Sequence, residues 1–118
     1  MGFEVIEELQ GKTLTEIERD GDEEIRFYTT EGKVVRMYHS QSCCENVEIE
    51  DLTGYLNDLV GHPLTRAEFR SNSQETFSGD QRWTFYQLDT IKGSVTIRWY
   101  GTSNGYYSTS VSISEYDA

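Results

Sequence analysis

Leu9-Gln10-Gly11-Lys12-Thr13-Leu14-Thr15-Glu16-Ile17-Glu18 returns fifty residues later as Leu59-Val60-Gly61-His62-Pro63-Leu64-Thr65-Arg66-Ala67-Glu68, with Leu, Gly, Leu, Thr and Glu in the same places. The echo continues downstream. Ile25-Arg26-Phe27-Tyr28 answers Trp83-Thr84-Phe85-Tyr86, and Gly32-Lys33-Val34-Val35-Arg36-Met37-Tyr38 answers Gly93-Ser94-Val95-Thr96-Ile97-Arg98-Trp99-Tyr100. The offset drifts from 50 to 58 to 62, as insertions into loops would make it do. A repeat of this length describes two similar supersecondary units that share a core. At 118 residues the chain is expected to be one domain spanning 1–118, with one repeat at about 3–50 and the second at about 51–114.

Within 51–60, Leu52, Tyr55, Leu56, Leu59 and Val60 recur at the spacing of one helical face, and Gly61 and Pro63 follow as stop signals. The spacing predicts an amphipathic helix there and a counterpart over Phe3–Gln10, where Val5, Ile6 and Leu9 match Tyr55, Leu56 and Leu59. After each helix the period changes to two. Strands are expected over Leu14–Arg19, Glu24–Thr30, Lys33–Ser40 and Cys44–Glu50, then over Leu64–Arg70, Gln81–Leu88, Ser94–Gly101 and Tyr106–Ser114. Ser71–Asp80 reads as a polar loop and Glu115–Ala118 as a frayed tail. The expected fold class is α+β: two tandem helix-plus-four-stranded antiparallel meander units, pseudo-twofold related and packed as one domain. Alternation puts Val35 and Met37, and correspondingly Ile97 and Trp99, on the core face. Arg36 and Tyr38, and Arg98 and Tyr100, then stand on the opposite face.

Leu, Ile, Val and Phe together number 26, close to the compositional floor for folding, but fifteen aromatic side chains offset that with the large area each buries. The net charge of −11 is unevenly divided: residues 1–60 carry 15 acidic and 5 basic side chains, net −10, and residues 61–118 carry 6 and 5, net −1. Such a field repels nucleic acid and favours basic partners. No apolar run approaches a membrane span, and no secretory leader is visible, so a cytoplasmic setting is expected. Cys43 and Cys44 are adjacent and make a poor disulfide framework, which agrees with that setting.

Reactive side chains gather only in His39-Ser40-Gln41-Ser42-Cys43-Cys44-Glu45. A thiolate beside an imidazole and a carboxylate can be a nucleophile. Against that, no oxyanion-hole turn follows, the acidic surroundings raise a thiol pKa, and the second repeat has no equivalent. A zinc site would need His39, Cys43, Cys44 and His62 to converge without a recognisable spacing. Asp20-Gly21-Asp22-Glu23-Glu24 lacks the frame of a calcium loop. No metal, cofactor or catalytic residue is therefore expected, and buried structural cysteines are the preferred reading.

The chain resembles a family of small uncharacterised proteins from phages, prophages and Gram-positive bacteria. The resemblance runs through His39-x-Gln41-x-Cys43-Cys44-Glu45-x-Val47-x-Ile49-Glu50-Asp51, through Leu56-x-Asp58-Leu59-Val60-Gly61, and through Thr84-Phe85-Tyr86 to Ser108 by way of Thr96-Ile97-Arg98-Trp99-Tyr100-Gly101. It implies a mobile-element setting and brings no activity with it. The leading expectation is a non-enzymatic acidic interaction protein that inhibits or modulates a host or defence protein through that protein's basic surface. Glu16, Glu18, Asp22 and Glu24 are its candidate partner-binding residues. The alternative is a small-ligand, nucleotide-like binder using Arg98, Tyr100, Asn104 and Tyr106. A third reading is a metal or thiol site at His39, Cys43, Cys44 and Glu45. Direct nucleic-acid and membrane binding are not expected, and a homodimer is compatible with each reading.

Overall fold

The computed structural model describes residues 6–39, 45–76, 79–103 and 109–118. Its strands are β1 (Leu14–Asp20), β2 (Glu24–Thr29), β3 (Lys33–Tyr38), β4 (Glu45–Thr53), β5 (Arg66–Thr76), β6 (Gly79–Thr90), β7 (Gly93–Ser103) and β8 (Ser112–Asp117). They form two four-stranded antiparallel sheets, ordered β1-β2-β3-β8 and β4-β7-β6-β5. The architecture is all-β, which overturns the α+β expectation. The helix anticipated within 51–60 shrinks to a single turn, and of the one anticipated over 3–10 only residues 6–10 lie within the described residues. Ile6–Gln10 is closed by Leu9 N–H to the Ile6 carbonyl and Gln10 N–H to the Glu7 carbonyl, each at 3.2 Å, and Leu56–Leu59 is one 3-10 turn.

The reason is local. Asp51, Leu52 and Thr53 continue β4 and pair with Arg98, Ile97 and Thr96. Gly54 then turns the chain at φ +99°, a conformation incompatible with a helix. A β-carbon at Gly54 would stand 2.2 Å from the Ser94 carbonyl oxygen, so the turn lies hard against β7. The apolar spacing that suggests a helix survives only in part as burial: Ile6, Leu9 and Leu59 are 0–1% exposed, but Tyr55 is 77% exposed.

The four-stranded meander is corrected too. Each half contributes a three-stranded meander, and its fourth strand crosses to the other sheet: β4 pairs with β7, and β8 pairs with β3. The repeated block lies where the halves meet. Gly11 N–H donates to the Leu64 carbonyl at 2.7 Å, and the equivalent Gly61 N–H donates to the equivalent Leu14 carbonyl at 2.9 Å. Each half thus gives the other the same hydrogen bond. Met37 and Trp99, which occupy matching places in β3 and β7, also meet: Trp99 Nε1–H donates to Met37 Sδ at 3.1 Å.

One apolar cluster joins the sheets, including Ile25, Phe27, Val35 and Met37 from the first and Tyr86, Leu88, Ile97 and Trp99 from the second. Register corrects the internal alignment by one residue. Phe27 pairs with Val35, while Tyr86 pairs with Ile97, so Tyr86 and not Phe85 is the counterpart of Phe27. Burial pushes the Tyr86 phenol pKa up. The supposed loop Ser71–Asp80 is instead strand over 71–76 and 79–80, with Ser71 opposite Thr84 and Gln74 opposite Gln81. The supposed tail belongs to β8, where Glu115 pairs with Val35 and Tyr116 with Val34.

Candidate functional site

The outer face of the first sheet is built by alternation. Ile25, Phe27 and Thr29 point inward on β2, leaving Glu24, Arg26 and Tyr28 outside beside Arg36 and Tyr38 of β3. Glu18 of β1 lies opposite Arg26. A charge network fills this face. Arg26 bridges Glu24 and Glu18, the latter at 3.6 Å; Arg36 reaches Glu24 at 2.9 Å and lies 3.7 Å over the Tyr38 ring. Burial alone pushes the Glu24 carboxyl up, but hydrogen bonds from Arg26 and Arg36 outweigh it and hold the group below the usual carboxylate range. Of the four expected partner-binding carboxylates, Glu18 and Glu24 lie in this network, and Asp22 meets Arg19 at 2.7 Å. Glu16 is exposed on β1 opposite Tyr28.

A second acidic grouping was not visible in the sequence. The Asp22 carbonyl, in the β1–β2 turn, accepts the Ile49 N–H of β4 at 2.7 Å. That bond sits at the β4 bulge, where register shifts between Ile49 and Asp51. It brings Asp20, Asp22 and Glu23 from one sheet to Glu48, Glu50 and Asp51 on the other, all six exposed. Arg19 pairs with Asp22 and Arg98 Nε with Glu50 Oε1 at 2.8 Å, so two cations meet six carboxylates. The result is an acidic margin across both sheets. The signal available in the sequence was the acidic spacing in Glu48-Ile49-Glu50-Asp51, which reads equally well as an ordinary solvated strand edge.

Arg98 and Tyr100 lie on the outer face of the second sheet. Tyr100 pairs with Trp83 across the strands, with ring centroids 5.1 Å apart and a 40° tilt, and Arg98 is opposite Phe85. Arg98 also lies opposite Asp51, so its guanidinium belongs to the acidic margin as much as to the aromatic face. Asn104 and Tyr106 lie outside the described residues. A shallow depression of about 120 Å³ is present on this sheet, but it is lined by residues such as Arg66, Glu68, Arg70 and Phe85 rather than by Arg98 and Tyr100.

His39 and Glu45 come together where the chain crosses between sheets. His39 Nε2 lies 3.2 Å from Glu45 Oε1, and Nδ1 lies 2.8 Å from the Ser110 carbonyl. The two side chains are 7% and 2% exposed. Both ring nitrogens are engaged, so the imidazole ties the β3–β4 crossing to the segment entering β8 and presents neither nitrogen to a substrate. Cys43 and Cys44 lie outside the described residues. Among the described residues, no group of three or more His, Cys, Asp or Glu is arranged to hold a metal ion, and no helix is long and apolar enough to cross a membrane.

The chain belongs to a family described as a domain of unknown function (DUF7448), whose model matches residues 7–113 and so takes in both repeats. No curated protein and no solved structure matches the chain.

Proposed function

We propose that this protein is a non-enzymatic interaction module whose acidic margin meets a basic surface on a partner protein. The observation that carries the reading is the Ile49–Asp22 hydrogen bond, which joins two acidic segments into one edge of like charge. Such an edge raises association rates with a cationic partner and disfavours anionic ones, and salt screens it over about 8 Å at physiological strength. The partner-binding set shifts from the expected one. Glu18 and Glu24 are already bound to arginines, whereas Asp20, Glu23, Glu48 and Asp51 are exposed and add to the field. The resemblance to phage and prophage proteins makes a host or defence factor the class of partner, and inhibition or modulation the expected consequence. This reading requires no cofactor.

The competing reading is a small-ligand site on the outer face of the second sheet, favoured by the Trp83–Tyr100 ring pair. Affinity capture from the native host separates the two. The wild type is compared with an acidic-margin variant (Asp20, Glu23, Glu48 and Asp51, each →Lys) and an aromatic-face variant (Trp83→Ala, Tyr100→Ala). Loss of the captured protein in the first variant alone supports the acidic margin. Loss in the second alone transfers the site to the aromatic face. A purified partner whose on-rate ignores salt would refute electrostatic steering.

A further inference from the structure

We propose that the outer edge of β5 pairs antiparallel with the same edge of a second copy of this chain, around a dyad at Phe69. Among the described residues, the sheets have four edge strands: β1, β8, β4 and β5. Three are blunted. The registers of β1 and β4 shift at Leu14/Glu16 and Ile49/Asp51, the Asp22 carbonyl takes the Ile49 N–H, and β8 has only six residues. By contrast, β5 runs eleven residues in register with β6 and contains neither Pro nor Lys. A long regular edge is a template for another strand, and because this one carries Arg66, Glu68 and Arg70, the strand that pairs with it must match those charges.

The side chains select the occupant. Arg66, Glu68 and Arg70 alternate along the outer side of β5, and all are exposed; Glu68 pairs with Arg66 of its own strand at 3.0 Å and Arg70 lies 5.3 Å from the Phe85 ring, exposed contacts that pairing with a second copy would exchange. A dyad at Phe69 sets Glu68 opposite the second copy's Arg70, and Arg70 opposite its Glu68, over a paired stretch from Arg66 to Asn72. A dyad at residue 68 or 70 puts like charges face to face. One at 67 leaves only three residues of β5 to pair, and one at 71 forms neither ion pair. Phe69, 36% exposed and 5.7 Å from the Tyr86 ring, would lie beside its own copy on the inner side. Two chains of net charge −11 repel, but β5 belongs to the half that carries only −1. It is also the edge opposite β4, so the acidic margin stays open in the dimer.

Sedimentation of the full chain tests this directly. The wild type should dimerise in a concentration-dependent way. Glu68→Arg and Arg70→Glu should each weaken the dimer by about tenfold or more, and the Glu68→Arg/Arg70→Glu double variant should recover most of the loss. A wild type that stays monomeric to about 1 mM, or single variants that dimerise like it, would overturn the proposal. A photo-crosslinking phenylalanine analogue in place of Phe69 provides a readout that keeps the native charges. Adducts mapping to residues 66–72 of the other copy support the pairing, and dimer adducts mapping elsewhere refute it.

Discussion

Replacing Trp99 by Ala tests the contact at the centre of the molecule. Trp99 is 1% exposed, and its indole N–H is bound to Met37 Sδ. An aromatic side chain of this kind buries roughly 150–250 Å², which at ~25 cal/mol per Å² gives an upper bound of about 4–6 kcal/mol. Measured truncations of large aromatics cost about 3–5 kcal/mol once the cavity has partly collapsed. Total stability for a chain of this length is of order 6–18 kcal/mol, so the variant should fold but lose a large share of its margin. With a urea m-value of about 1.5 kcal/mol/M, the midpoint should fall by roughly 2–3 M. Far-UV circular dichroism is the proper probe, because the substitution removes one of only two tryptophans. Met37→Ala should cost about 2–5 kcal/mol by itself. Because the two side chains touch, the double variant should lose less than the sum by about 0.5–3 kcal/mol. Trp83→Ala, on the outer face, is the control. If Trp99→Ala shifts the midpoint no further than Trp83→Ala, or if the two core substitutions are additive, the proposed centre is wrong.

Gly54→Ala combines a positive φ with a collision against the Ser94 carbonyl, and should destabilise by well over the ~1–2 kcal/mol of a left-handed residue alone. Gly21→Ala, at φ +59° with open space around its β-carbon, should show only that smaller cost, and equal urea midpoints for the two would refute the contact. The depressed Glu24 pKa contributes stability that is complete above the unfolded carboxylate value and is lost as pH falls through the lower folded value. Glu24→Gln should therefore flatten the decline of melting temperature on acidification, and an unchanged acid limb would count against the network. The raised Tyr86 pKa works at the other end. Its share of stability is intact below the unfolded phenol value near about 10 and disappears as pH rises from there toward the folded one, so Tyr86→Phe should lessen alkaline destabilisation in equilibrium unfolding.

Much of the core was legible because alternation is a local property. Val35, Met37, Ile97 and Trp99 are all buried as their spacing requires. The helix within 51–60 was misread because Leu52, Leu56 and Leu59 satisfy a helical period and a strand-then-turn equally well, and only the approach of β7 to Gly54 decides between them. Chain order concealed the exchange of β4 and β8, since each strand seeks a partner more than forty residues away; Glu45, for example, pairs with Ser103. Ser71–Gln74 looked like a loop because nothing on it is apolar, yet continuous pairing with β6 holds it extended. The acidic margin depends on one hydrogen bond between distant segments, so charge counting found the sign of the field without finding its place.

The exchange of fourth strands governs how this molecule comes into being. During synthesis β1, β2 and β3 emerge early, but the sheet they start is completed only by β8. Meanwhile β4 has left the ribosome with no sheet to join until β7 follows. Neither half completes its sheet without a strand from the other, and most contacts join positions far apart in the chain. Such a topology delays folding until nearly all of the polypeptide is available and makes it slow thereafter. Cut at Gly54, the two pieces should each remain unfolded and regain structure only when mixed.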